Sequence, residues 1–133
     1  MTSKVIYTGD LRTECEHIKS GTTIITDAPT DNHGKGESFS PTDTVATALA
    51  SCMLTVTGIK AQDAGFSIDG ATAQVTKTMA SNPRRIAQID IDFHFPQQYD
   101  QKTRKIIEHT CLTCPVNHSL HPDIKVEVDF NYG

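Results

Sequence analysis

The sequence predicts an α+β fold in which antiparallel strands pack on one long central helix. Short segments rich in strand-forming residues precede a long stretch of small and apolar residues, 40–59. Two later segments, residues 85–95 and 124–132, alternate apolar with polar side chains, which is the pattern of a strand with one buried face. Because short turns join most of these segments, we expect antiparallel pairing and the element order βββ-α-ββ-α-β.

The first three strands are predicted at residues 4–8, 12–18 and 22–27. Glycine, aspartate and serine separate them, which favours tight turns and a small antiparallel meander. Residues 28–39 are rich in Pro, Asp, Asn and Gly and have no periodicity. We therefore expect a mobile surface loop that leads into the central helix.

The central helix has a well-defined predicted start and a cysteine near its middle. Ser40 suits the cap, Pro41 the first helical position, and Asp43 completes a capping box. The side of the helix that carries Cys52 has a stripe of mostly apolar residues: Val45, Ala48, Leu49, Thr55, Val56 and Ile59. We expect a core helix buried on nearly all sides, since its apolar run falls short of the ~20 residues of a membrane span.

The second half of the chain is predicted as strands around one amphipathic helix. Gly65 ends the central helix, and a weak strand follows at residues 68–79. The strand at 85–95 ends before Pro96, and residues 97–110 have the spacing of a helix with one apolar face. The alternating segment at the end of the chain closes the sheet.

Composition limits the classes of function. With 133 residues the chain is expected to form a single domain, residues 1–133. Its net charge of −4 argues against nucleic acid and against a membrane surface as partners. The N-terminal residues lack the apolar core of a signal peptide, so we expect a cytoplasmic protein whose four cysteines are reduced.

The first two cysteines differ in what surrounds them in the sequence. Cys15 lies between Glu14 and Glu16, whose charges disfavour a thiolate, so we expect a structural role. Cys52 has two interpretations, a small buried side chain or a nucleophile. As a nucleophile it would need a cation from elsewhere in the fold, because its helical neighbours carry none.

The other two cysteines form a Cys-x-x-Cys motif at Cys111 and Cys114. The motif follows a helix and precedes a proline, unlike a thioredoxin-like site, which opens a helix after a strand. With His109, His118 and His121 the pair has the spacing of zinc ligands. A structural zinc module over residues 111–121 is therefore an alternative hypothesis.

Two segments together resemble a known family. Residues 40–52 begin Ser-Pro-Thr-Asp and end Ala-Ser-Cys, and residues 114–117 read Cys-Pro-Val-Asn before a terminal alternating strand. This pairing resembles the OsmC/Ohr family of osmotically inducible and organic hydroperoxide resistance proteins. The order of elements agrees along nearly the whole chain. The resemblance implies an OsmC-like fold and an intertwined homodimer with two sites at the subunit interface.

The resemblance also implies an activity, that of a thiol peroxidase without a cofactor. Such an enzyme reduces organic hydroperoxides, and hydrogen peroxide more weakly, to alcohols or water. Cys52 matches the peroxidatic position and Cys114 the resolving one. A sulfenic acid at Cys52 would condense with Cys114 to a disulfide, which a dithiol reductant, for example of the lipoyl type, would reduce.

The sequence departs from the family pattern at one position of the expected site. Family members place a glutamate after the proline to hold a catalytic arginine, and here that residue is Thr42. Asp43 is the candidate substitute, its alternative role being the helix cap, and Glu37 is a more distant candidate. In the family that arginine comes from the N-terminal strands, where Arg12 is the only arginine here, so the resemblance makes Arg12 the candidate activator of the thiol. The departure motivates a further alternative, a non-catalytic protein of the same fold that binds a small ligand.

Overall fold

The computed structural model describes all 133 residues. The strands and helices follow the expected order, with a short 3-10 turn before the central helix and a short helix before the last strand as additions. The chain divides into two compact units, Met1–Val45 and Ala46–Gly133. Each unit is described by itself.

The first unit contains a three-stranded antiparallel meander, as the sequence predicts. Its strands are β1 (Ser3–Gly9), β2 (Arg12–His17) and β3 (Thr23–Asp27). Within the pairing of β2 with β3, Arg12 lies directly opposite Asp27. Side chains directly opposite on antiparallel strands are close enough to interact, so the register itself places this charge pair.

Backbone hydrogen bonds close the loop between β3 and the central helix. Its only regular element is a 3-10 turn at Thr30–Asn32. The Gly34 amide donates to the Pro29 carbonyl at 2.9 Å, and the Gly36 amide donates to the Ala28 carbonyl at 3.2 Å. A Cβ at position 34 would overlap the Ala28 carbonyl, so the fold of this loop requires glycine there.

The central helix, α1 (Pro41–Ala64), has the ends that the sequence predicts. The Asp43 amide donates to Ser40 Oγ at 3.0 Å, and the Ser40 amide donates back to the Asp43 carboxylate at 3.0 Å. This reciprocal pair is a capping box. At the other end Gly65 has a φ of +82°, a left-handed conformation that favours glycine, and its amide donates to the Ala61 carbonyl at 2.9 Å.

The prediction that α1 is buried on nearly all sides is wrong. The buried residues lie along one stripe: Ala46, Leu49, Ala50, Met53, Thr57 and Ala61. On the neighbouring side Cys52 is half-buried, while Val45 and Ile59 are 38% and 57% exposed. The helix has small or apolar residues all round, so its sequence lacks the polar face that would have shown which side packs inward.

By length and composition alone, α1 also qualifies as a helix that could cross a membrane. The mean hydropathy of its most apolar window is 1.3, and 33% of that window is buried within the chain. The core helix of a soluble protein passes the same test. The criterion is therefore weak evidence for a membrane span.

The second unit contains a three-stranded sheet in the order β4 (Thr72–Ala80), β5 (Arg85–Phe95), β6 (Lys125–Tyr132). β4 pairs with β5 antiparallel, but β5 pairs with β6 in parallel. The expectation of antiparallel pairing throughout is thus wrong for the last strand. The connection between β5 and β6 contains α2 (Gln101–Leu112) and α3 (Pro115–Ser119), which makes it long enough to return the chain to the end where β5 started.

Two elements begin later than the sequence predicts. The strand expected from residue 68 begins at Thr72, because a turn precedes it in which the Ala71 amide donates to the Ile68 carbonyl at 2.9 Å. The helix expected from residue 97 begins after Asp100, whose carboxylate accepts the Thr103 amide at 2.8 Å as its cap. In both cases a local hydrogen bond, rather than the apolar pattern, sets the boundary.

The core of the second unit is built on the inner face of β5, whose alternation confirms the prediction for residues 85–95. Its apolar positions are almost completely buried: Ile89, Ile91, Phe93 and Phe95. They pack with Ile107 of α2 and with four buried residues of α1: Ala46, Leu49, Ala50 and Met53. The ring centre of Phe93 lies 5.6 Å from that of Phe95 and 5.7 Å from that of Phe130.

We expect Phe93→Ala to lower the free energy of unfolding by about 3–5 kcal/mol, since it removes a fully buried ring and leaves a cavity. Urea denaturation followed by circular dichroism measures the loss. Phe39→Ala is the control, because that ring is 55% exposed and its removal is expected to cost much less. Equal unfolding free energies for the two variants would contradict this account of the core.

Candidate active site

Cys52 lies in the middle of α1, at the border between its buried stripe and its exposed side. The next residue, Met53, is fully buried, and Cys52 itself is half-buried against the same core. Val45 and Ile59, about two turns away in each direction, leave apolar surface exposed. The thiol therefore lies beside open apolar surface instead of inside the core.

Cys114 occupies the junction between α2 and α3 and caps α3. Its Sγ accepts the Asn117 amide at 3.4 Å, and Pro115 takes the first helical position. The Asn117 side chain donates to the Leu112 carbonyl at 2.8 Å, which ties the start of α3 to the end of α2. The sequence analysis missed α3, although a capping side chain followed by proline is a signal for a helix start.

The thiols of Cys52 and Cys114 lie close enough to interact. Burial raises the pKa of Cys114, and a hydrogen bond with Cys52 raises it further, while the Asn117 amide opposes the shift. Cys114 therefore holds its proton more firmly than an exposed thiol does.

Cys111, the third cysteine near this site, is fully buried. Its Sγ lies 3.2 Å from the Thr57 hydroxyl and 3.9 Å from the Met53 carbonyl, both on α1. Burial raises the pKa of Cys111 to about 11, although the Thr57 hydrogen bond works against this. A buried thiol with so high a pKa is a poor nucleophile near neutral pH.

Arg12, in the first unit, is held by Asp27. Its Nε lies 2.6 Å from Oδ1 and its Nη2 2.8 Å from Oδ2, a two-point contact that fixes the plane of the guanidinium. Asp27 is 2% exposed and also accepts the Glu37 amide at 3.1 Å. Glu37 adds a longer contact of 3.4 Å to Arg12.

Asp43 is engaged in the capping box with Ser40, which is the alternative role that the sequence offered for it. Thr42, at the position of the family glutamate, has its hydroxyl 3.2 Å from Ser40 Oγ. Both side chains therefore help to fix the start of the helix that carries Cys52. Asp43 also lines a shallow depression together with Glu37 and Phe39.

Comparison with protein families assigns the chain. The sequence model described as OsmC-like protein matches residues 34–129, most of the chain and the whole of the segment from the cap of α1 to β6. The chain belongs to the OsmC-like protein family. No curated protein matches it significantly.

Solved structures agree with this assignment. A protein of Psychrobacter arcticus, provisionally named an osmotic stress induced and detoxification response protein, is 57% identical, with 98% of this chain and 96% of that chain covered and a TM-score of 0.96. Organic hydroperoxide resistance proteins of Legionella pneumophila and Elizabethkingia anophelis are only 13% and 12% identical. The TM-score is 0.77 for the Legionella protein and 0.78 for the Elizabethkingia protein. The alignments cover 98% and 100% of this chain, respectively, and 97% of each of the two other chains. At such identities the likeness of the last two shows the fold alone.

The side chains of this OsmC-like protein do not support the alternative of a structural zinc module. No three His, Cys, Asp or Glu side chains converge on a common point. Cys111 and Cys114 are buried, whereas His121 is 68% exposed and points to Asp123 at 3.8 Å. A structural zinc ion needs four ligands around one centre, so spacing along the chain was misleading here.

Asp27 is the partner of Arg12 that the sequence analysis of this OsmC-like chain missed. The sequence analysis puts Asp27 at the end of a predicted strand and gives it no functional role, because its partner Arg12 is distant in sequence. The signal that could have found it is the hairpin register, which puts the two residues opposite each other. An acidic and a basic residue at paired positions of a predicted hairpin favour an ion pair.

Asp27→Asn is expected to lower the urea midpoint relative to wild type at pH 7. In acid this difference between the variant and wild type is expected to disappear. The hydrogen bond from Arg12 holds the pKa of Asp27 below its usual value of 3.8. Because the pKa of Asp27 is lower in the folded than in the unfolded protein, ionised Asp27 stabilises the fold above pH 3.8. This stabilisation is lost as the pH falls through the pKa of the folded state. Urea denaturation between pH 7 and pH 3 measures the difference from wild type. The exposed Asp63→Asn serves as control, and a difference from wild type that persists unchanged in acid would contradict the assignment.

Proposed function

We propose that this OsmC-like protein is a cysteine-dependent peroxidase that reduces organic hydroperoxides to alcohols. The observation that carries the proposal is the pairing of two thiols with different surroundings. Cys52 is half-buried beside open apolar surface, while Cys114 is fully buried and interacts with it. Cys52 is therefore the thiol of this pair that a substrate can reach.

The chemistry follows from this pair. The Cys52 thiolate attacks the terminal oxygen of the hydroperoxide, the O–O bond breaks, and the alcohol leaves with a proton while Cys52 becomes a sulfenic acid. The Cys114 sulfur then attacks the Cys52 sulfur. Water leaves with the Cys114 proton, and a disulfide joins the two residues. An external dithiol reduces this disulfide by exchange and is itself oxidised to its disulfide.

The surroundings of Cys52 favour hydroperoxides with an apolar body. The exposed side chains of Val45 and Ile59 flank the thiol along α1, and neither carries a charge. Burial of apolar surface contributes about 25 cal/mol per Å² to binding, a contribution that hydrogen peroxide cannot make. The preferred substrates are therefore organic hydroperoxides, with hydrogen peroxide reduced more weakly.

Arg12 is the proposed activator of the Cys52 thiol, since a cation placed beside a thiol favours the thiolate. Asp27 takes the orienting role proposed earlier for Asp43, because it holds two nitrogens of the guanidinium. Asp43 contributes through the cap that fixes the start of the Cys52 helix. This arrangement offers a substitute for the family glutamate that Thr42 replaces.

We also propose that the protein works as a homodimer in the cytoplasm. Both faces of the meander in the first unit carry exposed apolar side chains: Val5 and Tyr7 on one face, Ile6 on the other. A contact with a second copy of the chain would remove these apolar side chains from water. Light scattering is expected to give twice the chain mass of 14.5 kDa. All four cysteines are free, which fits a reducing compartment.

The proposed activity is tested by following cumene hydroperoxide consumption with dihydrolipoamide as reductant. The wild-type protein is expected to consume it faster than hydrogen peroxide at equal concentration, with loss of two thiols per chain when the reductant is withheld. Oxidation no faster than that of free cysteine would overturn the proposal. A small-ligand-binding protein of the same fold would then be the remaining interpretation.

A further inference from the structure

Cys111 has no part in the proposed reaction, yet it is fully buried and makes specific contacts. Both contacts are with α1 next to the reacting cysteine: the Met53 carbonyl belongs to the residue after Cys52, and Thr57 lies one turn further along. The end of α2 is therefore attached to the same stretch of helix that carries the nucleophile.

The attachment at Cys111 is transmitted to Cys114 through a short and well-restrained stretch. Only Leu112 and Thr113 intervene, and the Thr113 amide still donates to the Thr110 carbonyl at 3.3 Å. The Leu112 carbonyl accepts the Asn117 side chain at 2.8 Å. Few free torsions remain between the two cysteines, so a shift of Cys111 along α1 would move Cys114.

The contacts of Cys111 all fall on one turn of α1. The Thr57 hydroxyl donates to the Met53 carbonyl at 2.7 Å and lies 3.2 Å from the Cys111 sulfur, and the Cys111 S–H donates to the same carbonyl at 3.9 Å. These three groups form a closed set of contacts that fixes the Cys111 sulfur against α1. The arrangement holds Cys111 as a thiol and gives it no exposed path to an oxidant.

We propose that Cys111 and Thr57 are positioning residues for the resolving cysteine: their contact sets Cys114 beside Cys52, and Cys111 itself stays outside the redox cycle. The inference rests on the proposed function only in naming Cys114 the resolving cysteine. The proposal concerns how readily the Cys52 and Cys114 sulfurs come into contact, and this can be measured without any peroxide.

The test is equilibrium oxidation in mixtures of reduced and oxidised glutathione, in which two protein thiols form one disulfide while one oxidised glutathione becomes two reduced ones. The resulting constant reports the effective concentration of Cys52 and Cys114 toward each other. We expect Thr57→Val and Cys111→Ala to lower this effective concentration at least tenfold, since a misplacement of 1 Å can cost about 100-fold. Thr57→Ser and Cys111→Ser, which keep a hydroxyl donor and acceptor, are expected to restore it to near the wild-type value.

Two controls separate positioning from general stability. Thr55→Val removes a hydroxyl that bonds the Ser51 carbonyl in the same way but does not contact Cys111. Ile107→Val trims the buried side of α2 and lowers the urea midpoint without touching the pair. Both are expected to keep the wild-type effective concentration. If Thr57→Val and Cys111→Ala lower only the urea midpoint, as Ile107→Val does, the proposal is overturned.

Peptide mapping of the oxidised wild-type protein completes the test. A Cys52–Cys114 disulfide with Cys111 still alkylatable supports the proposal, whereas a disulfide that contains Cys111, or none at all, overturns it. A Cys52–Cys114 disulfide in a protein that consumes no hydroperoxide would refute the proposed function and leave the positioning role intact.

Discussion

Cys52→Ser is expected to abolish hydroperoxide consumption, with kcat/KM reduced at least about 10³-fold, as is usual when a nucleophile is removed. The attacking species at a peroxide oxygen is a thiolate, and a serine hydroxyl stays protonated near neutral pH. The replacement changes a half-buried sulfur to an oxygen of similar shape at the edge of the core, so the fold should persist. The measurement is consumption of cumene hydroperoxide with dihydrolipoamide in excess.

Cys15→Ser is the matched control for this prediction. Cys15 is also a half-buried free cysteine, but it lies on β2 with Thr13 as its polar neighbour, at 3.7 Å. Its replacement is expected to leave the rate at the wild-type value. Wild-type turnover in the Cys52→Ser protein, confirmed as folded by circular dichroism, would refute the assignment of the nucleophile.

Most of the fold could be predicted because its signals are local. The strand at Arg85–Phe95 has the predicted bounds, since strict alternation over the nine positions 87–95 fits only one secondary structure. The start of α1 was equally clear, because Ser40 and Asp43 can cap the helix without help from other elements. Such signals are carried by neighbouring residues and need no knowledge of the tertiary structure.

The features that could not be predicted depend on distant partners. The direction of β6 beside β5 follows from the path of the chain through α2 and α3, while the alternation of β6 itself is the same in either direction. The buried side of α1 was mispredicted for a related reason. Its residues are small or apolar all round, and only the packing of the β5 face decides which of them face inward.

The candidate site shows the same division. Cys52 and Cys114 are candidates because each lies in a recognisable local pattern, and their thiols interact in the structure. Arg12 was identified, but its partner was not: the carboxylate that holds it belongs to Asp27 on the next strand. Spacing along the chain gave no sign that Cys111 would be tied to Thr57 of the central helix.

Cys114→Ser is expected to separate the two chemical steps. Cys52 remains able to attack the hydroperoxide, so one equivalent of alcohol per chain should form in a burst. The disulfide can no longer form, and the sulfenic acid accumulates and proceeds to sulfinic acid with excess oxidant. Turnover should fall at least about tenfold, because the reductant loses the disulfide that it exchanges with. Dimedone labelling with mass spectrometry of the Cys52 peptide measures the accumulated sulfenic acid.

This substitution is well suited to the question because serine preserves the structural role of Cys114. The Cys114 sulfur caps α3 by accepting the Asn117 amide, and serine is a better capping residue than cysteine. Any loss of turnover can then be assigned to the missing thiol instead of a disturbed α3. Cys111→Ser, three residues earlier, is the control that should keep both steps. Full turnover without labelled sulfenic acid in the Cys114→Ser protein would mean that the reductant reaches Cys52 directly and that Cys114 does not resolve it.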